Sequence, residues 1–145
     1  MDVKQVVLSL THQTKKMKDN AAELRALAAR YKMNASHFHK DGRGFIIVTR
    51  AGIEHICRVA KVTVTYTPVF EWSDAEKSRY VIECTARMGD MTTTSYGECA
   101  PANNRNPYPV AMAEKRAMSR AVLKLTGFYE LNAKGEDEIE TQQTK

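Results

Sequence analysis

The chain has three cysteines in 145 residues and no C-x-x-C pair, which excludes a disulfide-stapled scaffold and the common zinc ribbons. Cys57, Cys84 and Cys99 are far apart and odd in number, so reduced thiols in the cytoplasm are the expectation. No apolar run approaches the ~20 residues of a membrane span. "VVLSL" near the start is too short for a signal-peptide core and lacks a cleavage site. There is no G-x-x-x-x-G-K-[ST] loop, which removes nucleotide hydrolysis by that route, and there are no repeats or low-complexity tracts. "HFH" (37–39) with His55 and Cys57 matches no standard zinc spacing, so neither metal nor cofactor is expected. Carboxylates are scattered. Glu83 and Glu98 fall on neighbouring strands and could be imagined as a metal-dependent nuclease pair, but two surface glutamates on a hairpin are more often solvated. The chain is therefore expected not to be an enzyme.

What is present is a globular composition: 43% of residues are hydrophobic, enough for one domain with a real core. Lys and Arg number 22 against 17 Asp and Glu, a net charge of +5. The charge is unevenly placed. Residues 132–145 hold Lys134 and Lys145 against Glu136, Asp137, Glu138 and Glu140, two net negatives, which leaves seven net positives on residues 1–131. A basic body with an acidic tail suits a polyanionic partner and serves solubility equally well.

Residues 1–17 show no clean pattern and are set apart as an N-terminal segment. "KDNAAELRALAARY" (18–31) reads as a helix, with Asn20 and Glu23 at capping-box spacing. "FIIVT" (45–49) reads as a short strand. "RAGIEHICRVAK" (50–61) follows as a helix capped by Thr49, with Ile53, Ile56, Cys57 and Ala60 on one side. "VTVTYTPVF" (62–70) alternates with period two until Pro68 marks an edge. "RYVIECTARMGDMTTTSYGEC" (79–99) predicts a hairpin turning at Gly89-Asp90, with Met88 facing Met91, Ala86 facing Thr93 and Cys84 facing Ser95. One of its faces is apolar on the first strand and small on the second, which suits a closely packed helix. The other carries Glu83, Arg87, Thr92, Thr94 and Tyr96 and can stay wet. Pro109 then opens a helix that runs to about Thr126, with Gly127 as its C-cap and an apolar stripe of Val110, Ala113 or Ala117, Met118, Ala121, Val122 and Leu125. The predicted fold class is α+β: an antiparallel meander of three to four strands with helices packed on one face. The domain is expected over 18–131, and the acidic tail 132–145 is expected to be disordered.

The last helix carries the most pointed signal. In "AEKRAMSRAVLKLTGF" (113–128), Lys115, Arg116, Arg120 and Lys124 meet a single acid, Glu114. Arg116, Arg120 and Lys124 recur every four residues, one row of like charge with no acid four residues away in the helix. Such a row either faces solvent, pairs with acids from elsewhere, or meets phosphates. Arg105 in the preceding loop, and Arg43 and Arg50 around the first strand and helix, add to the third reading, since a guanidinium bonds phosphate bidentately. Tyr66, Trp72, Tyr96 and Tyr108 are available for base stacking. Tyr66 and Trp72 read better as core or loop anchors, and Tyr96, on the polar hairpin face, as the stacking residue.

"GFIIVTRAGIEHICRVAKV", a strand, a hairpin and "AEKRAMSRAVLKLTGFY" together resemble the Rad-fifty-two-like single-strand annealing proteins, a superfamily that includes relatives encoded by phages and mobile elements. Its unit is a strand and helix, a three-stranded antiparallel meander, and a basic helix of the type "AxxxALKRALRxFG". "AMSRAVLKLTG" (117–127) matches the end of that helix, with Ser119 in place of its Lys and the next basic residue displaced to Lys124. The resemblance covers roughly residues 43–131 and rests on order and helix pattern. It implies ATP-independent binding of single-stranded DNA along the basic groove of a ring or filament. The helix arginine carries over to Arg120, and Arg43 and Arg50 correspond loosely to basic residues around the family's first strand and helix. A bacterial, archaeal or phage-infected cytoplasm is implied with it.

The resulting expectation is a single-stranded DNA-binding homo-oligomer, with no membrane partner, acting in annealing, recombination or strand protection. Its contacts would be Arg43, Arg50, Arg105, Lys115, Arg116, Arg120, Lys124 and Tyr96. Self-association follows also from a meander's two open edges. The alternatives are a double-stranded RNA-binding module, which shares the sheet and basic last helix but lacks the "FIIVT"–helix unit; the nuclease; and a structural oligomer that binds no nucleic acid.

Overall fold

The computed structural model describes residues 20–138. The N-terminal segment 1–17 and the last seven residues of the acidic tail lie outside them. Helix α1 occupies residues 20–30; Asn20 is already helical and is not its cap. A 3-10 turn, Ala35–His37, leads into the antiparallel pair β1 (Phe38–Lys40) and β2 (Ile46–Val48), and helix α2 (Arg50–Ala60) follows. Strands β3 (Thr63–Pro68), β4 (Tyr80–Met88) and β5 (Met91–Cys99) form an antiparallel meander. Helix α3 (Pro109–Thr126) comes next, and a two-residue strand, β6 (Lys134–Gly135), pairs parallel with β2 before a 3-10 turn, Glu136–Glu138. The fold is α+β, as the pattern predicts, with the meander and its helix in the predicted order. Among the described residues no helix is long and apolar enough to cross a membrane.

Local chemistry sets the element ends. Thr49 Oγ1 accepts the Gly52 N–H at 3.1 Å, the expected cap of α2. Gly127, at φ +92, closes α3 in the left-handed conformation that a side chain disfavours. The β4–β5 turn has Gly89 at φ +61, and the pairing is the predicted one: Met88 with Met91, Ala86 with Thr93, Cys84 with Ser95. Cys84, Ala86, Ser95, Gly97 and Cys99 are buried under α3, while Arg87, Thr92, Thr94 and Tyr96 are exposed on the other face.

The meander and α3 meet at unusually short range at Gly97. A Cβ on Gly97 would lie 2.1 Å from the Ala113 carbonyl oxygen and 2.4 Å from the Ala117 nitrogen, so the helix backbone rests on the strand backbone. Gly97 meets the first turns of α3 two residues before β5 ends. The very start of the helix therefore overhangs the sheet, and Val110, expected in the apolar stripe, is exposed.

The stripe is also too narrow a description of α3. Ala113, Arg116, Ala117, Ser119, Ala121, Val122, Leu123, Leu125 and Thr126 are all buried. The helix is enclosed because the second sheet, in the order β1-β2-β6, closes over its far side; the sequence pattern does not anticipate this sheet. Gly135 of β6 is the contact: a Cβ there would sit 2.6 Å from Ser119 Cβ. A long Lys at position 119, as in the resembled helix pattern, would not leave room for that strand.

The expectation that everything after Leu131 is disordered is overturned for residues 132–138. Ala133, Gly135 and Asp137 are buried, and the Gly135 N–H donates to Glu138 at 2.6 Å. The turn is held by charge, since its acids find arginines that α2 and α3 present, as described below.

The histidines of "HFH" serve the fold. Buried His37 accepts the Asn34 N–H at Nδ1 (3.1 Å) and stacks on His55 at 4.5 Å, whose Nε2 lies 3.0 and 2.9 Å from the Tyr31 and Lys32 carbonyls. Burial, then the charges of His55 and Arg58, lower the pKa of His37 below its ordinary value. Its neutral form therefore contributes stability that is complete above about pH 6.5 and is lost as pH falls through the depressed folded value. Melting temperature should drop on going from pH 7.5 to 5, and His37→Gln should flatten that part of the profile. Parallel profiles for the two proteins would assign the drop to another group. All three thiols are free; burial raises Cys57 to about 11, Cys84 to about 12, and Cys99 in the same direction, so they are unreactive at neutral pH.

Candidate nucleic-acid interface

The Arg116, Arg120 and Lys124 row of α3 faces the edge of β5. Arg116 is 5% exposed. Its Nη1 donates to the Glu98 carbonyl (3.0 Å) and to Asn103 Oδ1 (3.0 Å), its Nη2 to the Asn103 carbonyl (2.7 Å), and its Nε to the Asp137 carbonyl (2.9 Å). One turn on, Arg120 Nη1 donates to the Tyr96 carbonyl at 2.8 Å. Nη1 and Nη2 of Arg120 also fork onto the Glu98 carboxylate at 3.2 and 3.3 Å, and Nε meets Glu138 at 3.1 Å. Lys124 reaches Ser95 Oγ at 3.2 Å and lies 5.2 Å from the centre of the Tyr129 ring.

The spacing has a geometric cause. β5 is an edge strand of the meander, and Tyr96 and Glu98 turn their carbonyls away from β4. Four helical residues advance about 6 Å, and two strand residues about 6.8 Å. An i, i+4 pair of arginines on α3 therefore matches successive outward carbonyls of β5, and covers an edge that would otherwise invite another strand. The row is uncompensated within its own helix, but acids and carbonyls from elsewhere compensate it. This corrects the expectation that Arg116 and Arg120 stand open to phosphate: Arg116 is withdrawn from the surface, and Arg120 is occupied by Glu98 and Glu138. For Arg120 burial opposes the charge, but the hydrogen bonds and attraction of Glu98 and Glu138 outweigh it and raise its pKa.

The other expected contacts lie in different places. Arg50, at the start of α2, donates to Asp137 at 3.0 Å and joins Arg116 and Arg120 through the Glu136–Glu138 turn. Arg43 is exposed, pairs with Asp41 at 3.3 Å, and lies 5.3 Å from the centre of the Phe45 ring, which Lys134 also approaches at 5.1 Å. Arg105 is exposed in the loop before α3, and Lys115 is half-buried on the helix. Lys124 is exposed. Glu98, one half of the imagined nuclease pair, has its carboxylate held by Arg120, and the described residues contain no cluster of His, Cys, Asp or Glu suited to a metal.

Tyr96 stands on the outer face of the meander, and Trp72, read as a core or loop anchor, lies beside it in the β3–β4 connection and not in the core. Trp72 is 56% exposed and meets Tyr96, 38% exposed, edge to face at 5.3 Å. The pair borders a surface of hydroxyls from Thr63, Thr65 and Thr67 on β3, Thr85 on β4, and Thr92 and Thr94 on β5; Thr85 and Thr94 hydrogen-bond at 2.9 Å. Arg87 lies on the same face. Tyr66, by contrast, is half-buried against the core, as expected of an anchor. Sequence reasoning missed Trp72, Asn103, Asp137 and Glu138 as partners of this region. The signal available for the last two was charge: two acids just after a helix whose arginines lacked them.

No family model, curated protein or solved structure gives a significant match to the chain.

Proposed function

We propose that the protein is an ATP-independent single-stranded DNA-binding protein that works as a homo-oligomer in strand annealing, recombination or protection of single strands, and that it is a binding protein rather than an enzyme. The observation that carries this reading is the exposed Trp72–Tyr96 pair on the face of the meander opposite α3. Aromatic faces stack on any base, which gives affinity without sequence choice. The threonine hydroxyls of this face suit sugar and phosphate; Glu83 is the residue paired with Tyr96, and Arg87 lies further along β4, towards the hairpin turn. Lys124 and Arg43 are exposed cations of the expected contact set. The basic balance of residues 1–131 and the strand–helix, meander, basic-helix order of the resembled superfamily support the same reading. Self-association is supported by β3: among the described residues no strand pairs with its outer edge, whereas the edge of β5 is covered by α3 arginines.

Titration of oligothymidylate, duplex DNA and duplex RNA at several salt concentrations tests the reading. Single strands should bind tightest. Trp72→Ala and Tyr96→Ala should each weaken that binding by about 1–3 kcal/mol while leaving the fold intact. Equal affinity for a duplex, or no effect of either substitution, refutes the assignment. A monomer by light scattering, with and without oligonucleotide, refutes the oligomer.

A further inference from the structure

Two of the expected phosphate ligands, Arg50 of α2 and Arg120 of α3, are occupied by the chain's own carboxylates. Asp137 accepts from Arg50 at 3.0 Å and Glu138 from Arg120 at 3.1 Å; the two acids are consecutive residues of one short turn. Two anionic groups in sequence, Asp137 on Arg50 and Glu138 on Nε of Arg120, whose Nη atoms stay on Glu98, present to two arginines the chemistry that a phosphodiester backbone offers. We infer that Arg50 and Arg120 form a second, latent phosphodiester-binding site, and that the Glu136–Glu138 turn is a displaceable cover that single-stranded DNA and the acidic turn occupy in competition. This inference rests on the proposed function and adds the regulation of its basic surface.

The attachment of the turn is suited to exchange. The strand leading into it, β6, is two residues long, and a strand that short contributes little pairing of its own. The other ties to the body are the two ion pairs, the bond from Arg116 to the Asp137 carbonyl, and the packing of Gly135 on Ser119; the Gly135 N–H to Glu138 bond lies within the segment and can travel with it. The Glu138 side chain is largely enclosed, and that burial raises its pKa despite the Gly135 N–H, Arg120 and Lys134, so its charge is held at a desolvation cost that release returns. Arg50 is half-exposed already, and incoming phosphate can reach it before the turn leaves. Arg116, fixed to Asn103 and the Glu98 carbonyl, stays behind as part of the fold.

The test uses the full chain with Asp137→Asn and Glu138→Gln, which keep shape and remove charge. Folding is checked by circular dichroism, and oligothymidylate is titrated across salt. The double variant should bind more tightly than the unsubstituted protein, and its log-affinity against log-salt slope should steepen by about 1.4, two added phosphate contacts at about 0.7 each. Adding Arg50→Gln to that variant should take back about half of the increase in slope. A folded double variant with unchanged or weaker binding overturns the inference. A second measurement, on the unsubstituted protein, serves if the variant does not fold. Glutamate-specific proteolysis at Glu136 and Glu138 should accelerate when oligothymidylate is bound, and unchanged or slower cleavage overturns the inference. Equal slopes in two proteins that both bind DNA remove the latent site alone. Binding by neither, at any salt, removes the proposed function and this inference with it.

Discussion

Replacing Gly97 with valine should abolish cooperative folding at ordinary temperature, and even Gly97→Ala should cost several kcal/mol. The reason is that the added Cβ meets backbone: 2.1 Å to the Ala113 oxygen and 2.4 Å to the Ala117 nitrogen, neither of which can rotate away as a side chain can. Relief requires α3 to lift from β5, and that contact is the centre of the core formed by Cys84, Ala86, Cys99, Ala113, Ala117 and Ala121. Overpacking ordinarily costs about 1–3 kcal/mol. A displaced central helix should exceed that, against a total stability of roughly 5–15 kcal/mol for a domain. Denaturant midpoints measure it, with Gly42→Ala as the control, since nothing lies within 4 Å of a Cβ there. A Gly97→Ala protein as stable as the unsubstituted one would mean that α3 does not sit on β5 as described.

Arg116→Ala should be the most costly change among the charged residues, at about 3 kcal/mol or more. It removes the donor from three carbonyls, those of Glu98, Asn103 and Asp137, and from the Asn103 side chain, which keeps the Ala100 N–H; the Asp137 bond is buried and the others half-buried. Each buried polar group left unpaired costs about 1–3 kcal/mol, offset in part where water can enter. Arg116→Lys should rescue little, because a single ammonium cannot span acceptors that a planar fork meets together. Lys124→Ala gives the contrast. Exposed at the end of the same row, it should change stability by no more than ~0.5 kcal/mol and flatten the salt slope of DNA binding by about 0.7. If Arg116→Ala folds as well as Lys124→Ala, the row is one solvated surface and not an edge clamp followed by a contact residue.

These two expectations mark how far the residues could be read in advance. The β4–β5 hairpin and its register, the helix of 109–126 with its proline start and glycine stop, and the Thr49 cap were readable because each is local. A turn type, a period or a capping hydroxyl acts over a few residues and leaves its mark in them. The smallness of β5 at Ser95, Gly97 and Cys99 even pointed to a close helix. What the helix would meet on its other sides was not local. Ser119 is buried against Gly135 of β6, which returns from sequence positions beyond the helix to pair with β2.

The same division decides the charged residues. By itself the sequence determined the α+β class, the meander, the basic last helix and the four-residue spacing of its row, since composition and periodicity carry all of these. Only the tertiary structure decided what the row does. Arg116 and Arg120 meet carbonyls of β5, 18 and 24 residues earlier in the chain, and Asp137 and Glu138, 21 and 18 residues later. A charge records in its own segment that it needs a partner, but the partner is chosen by which segments the fold brings within about 3 Å, the range of a hydrogen bond. Trp72 follows the same rule: an isolated aromatic in a polar connection reads as an anchor, and in the fold it stays exposed with the Tyr96 ring of β5 at its side.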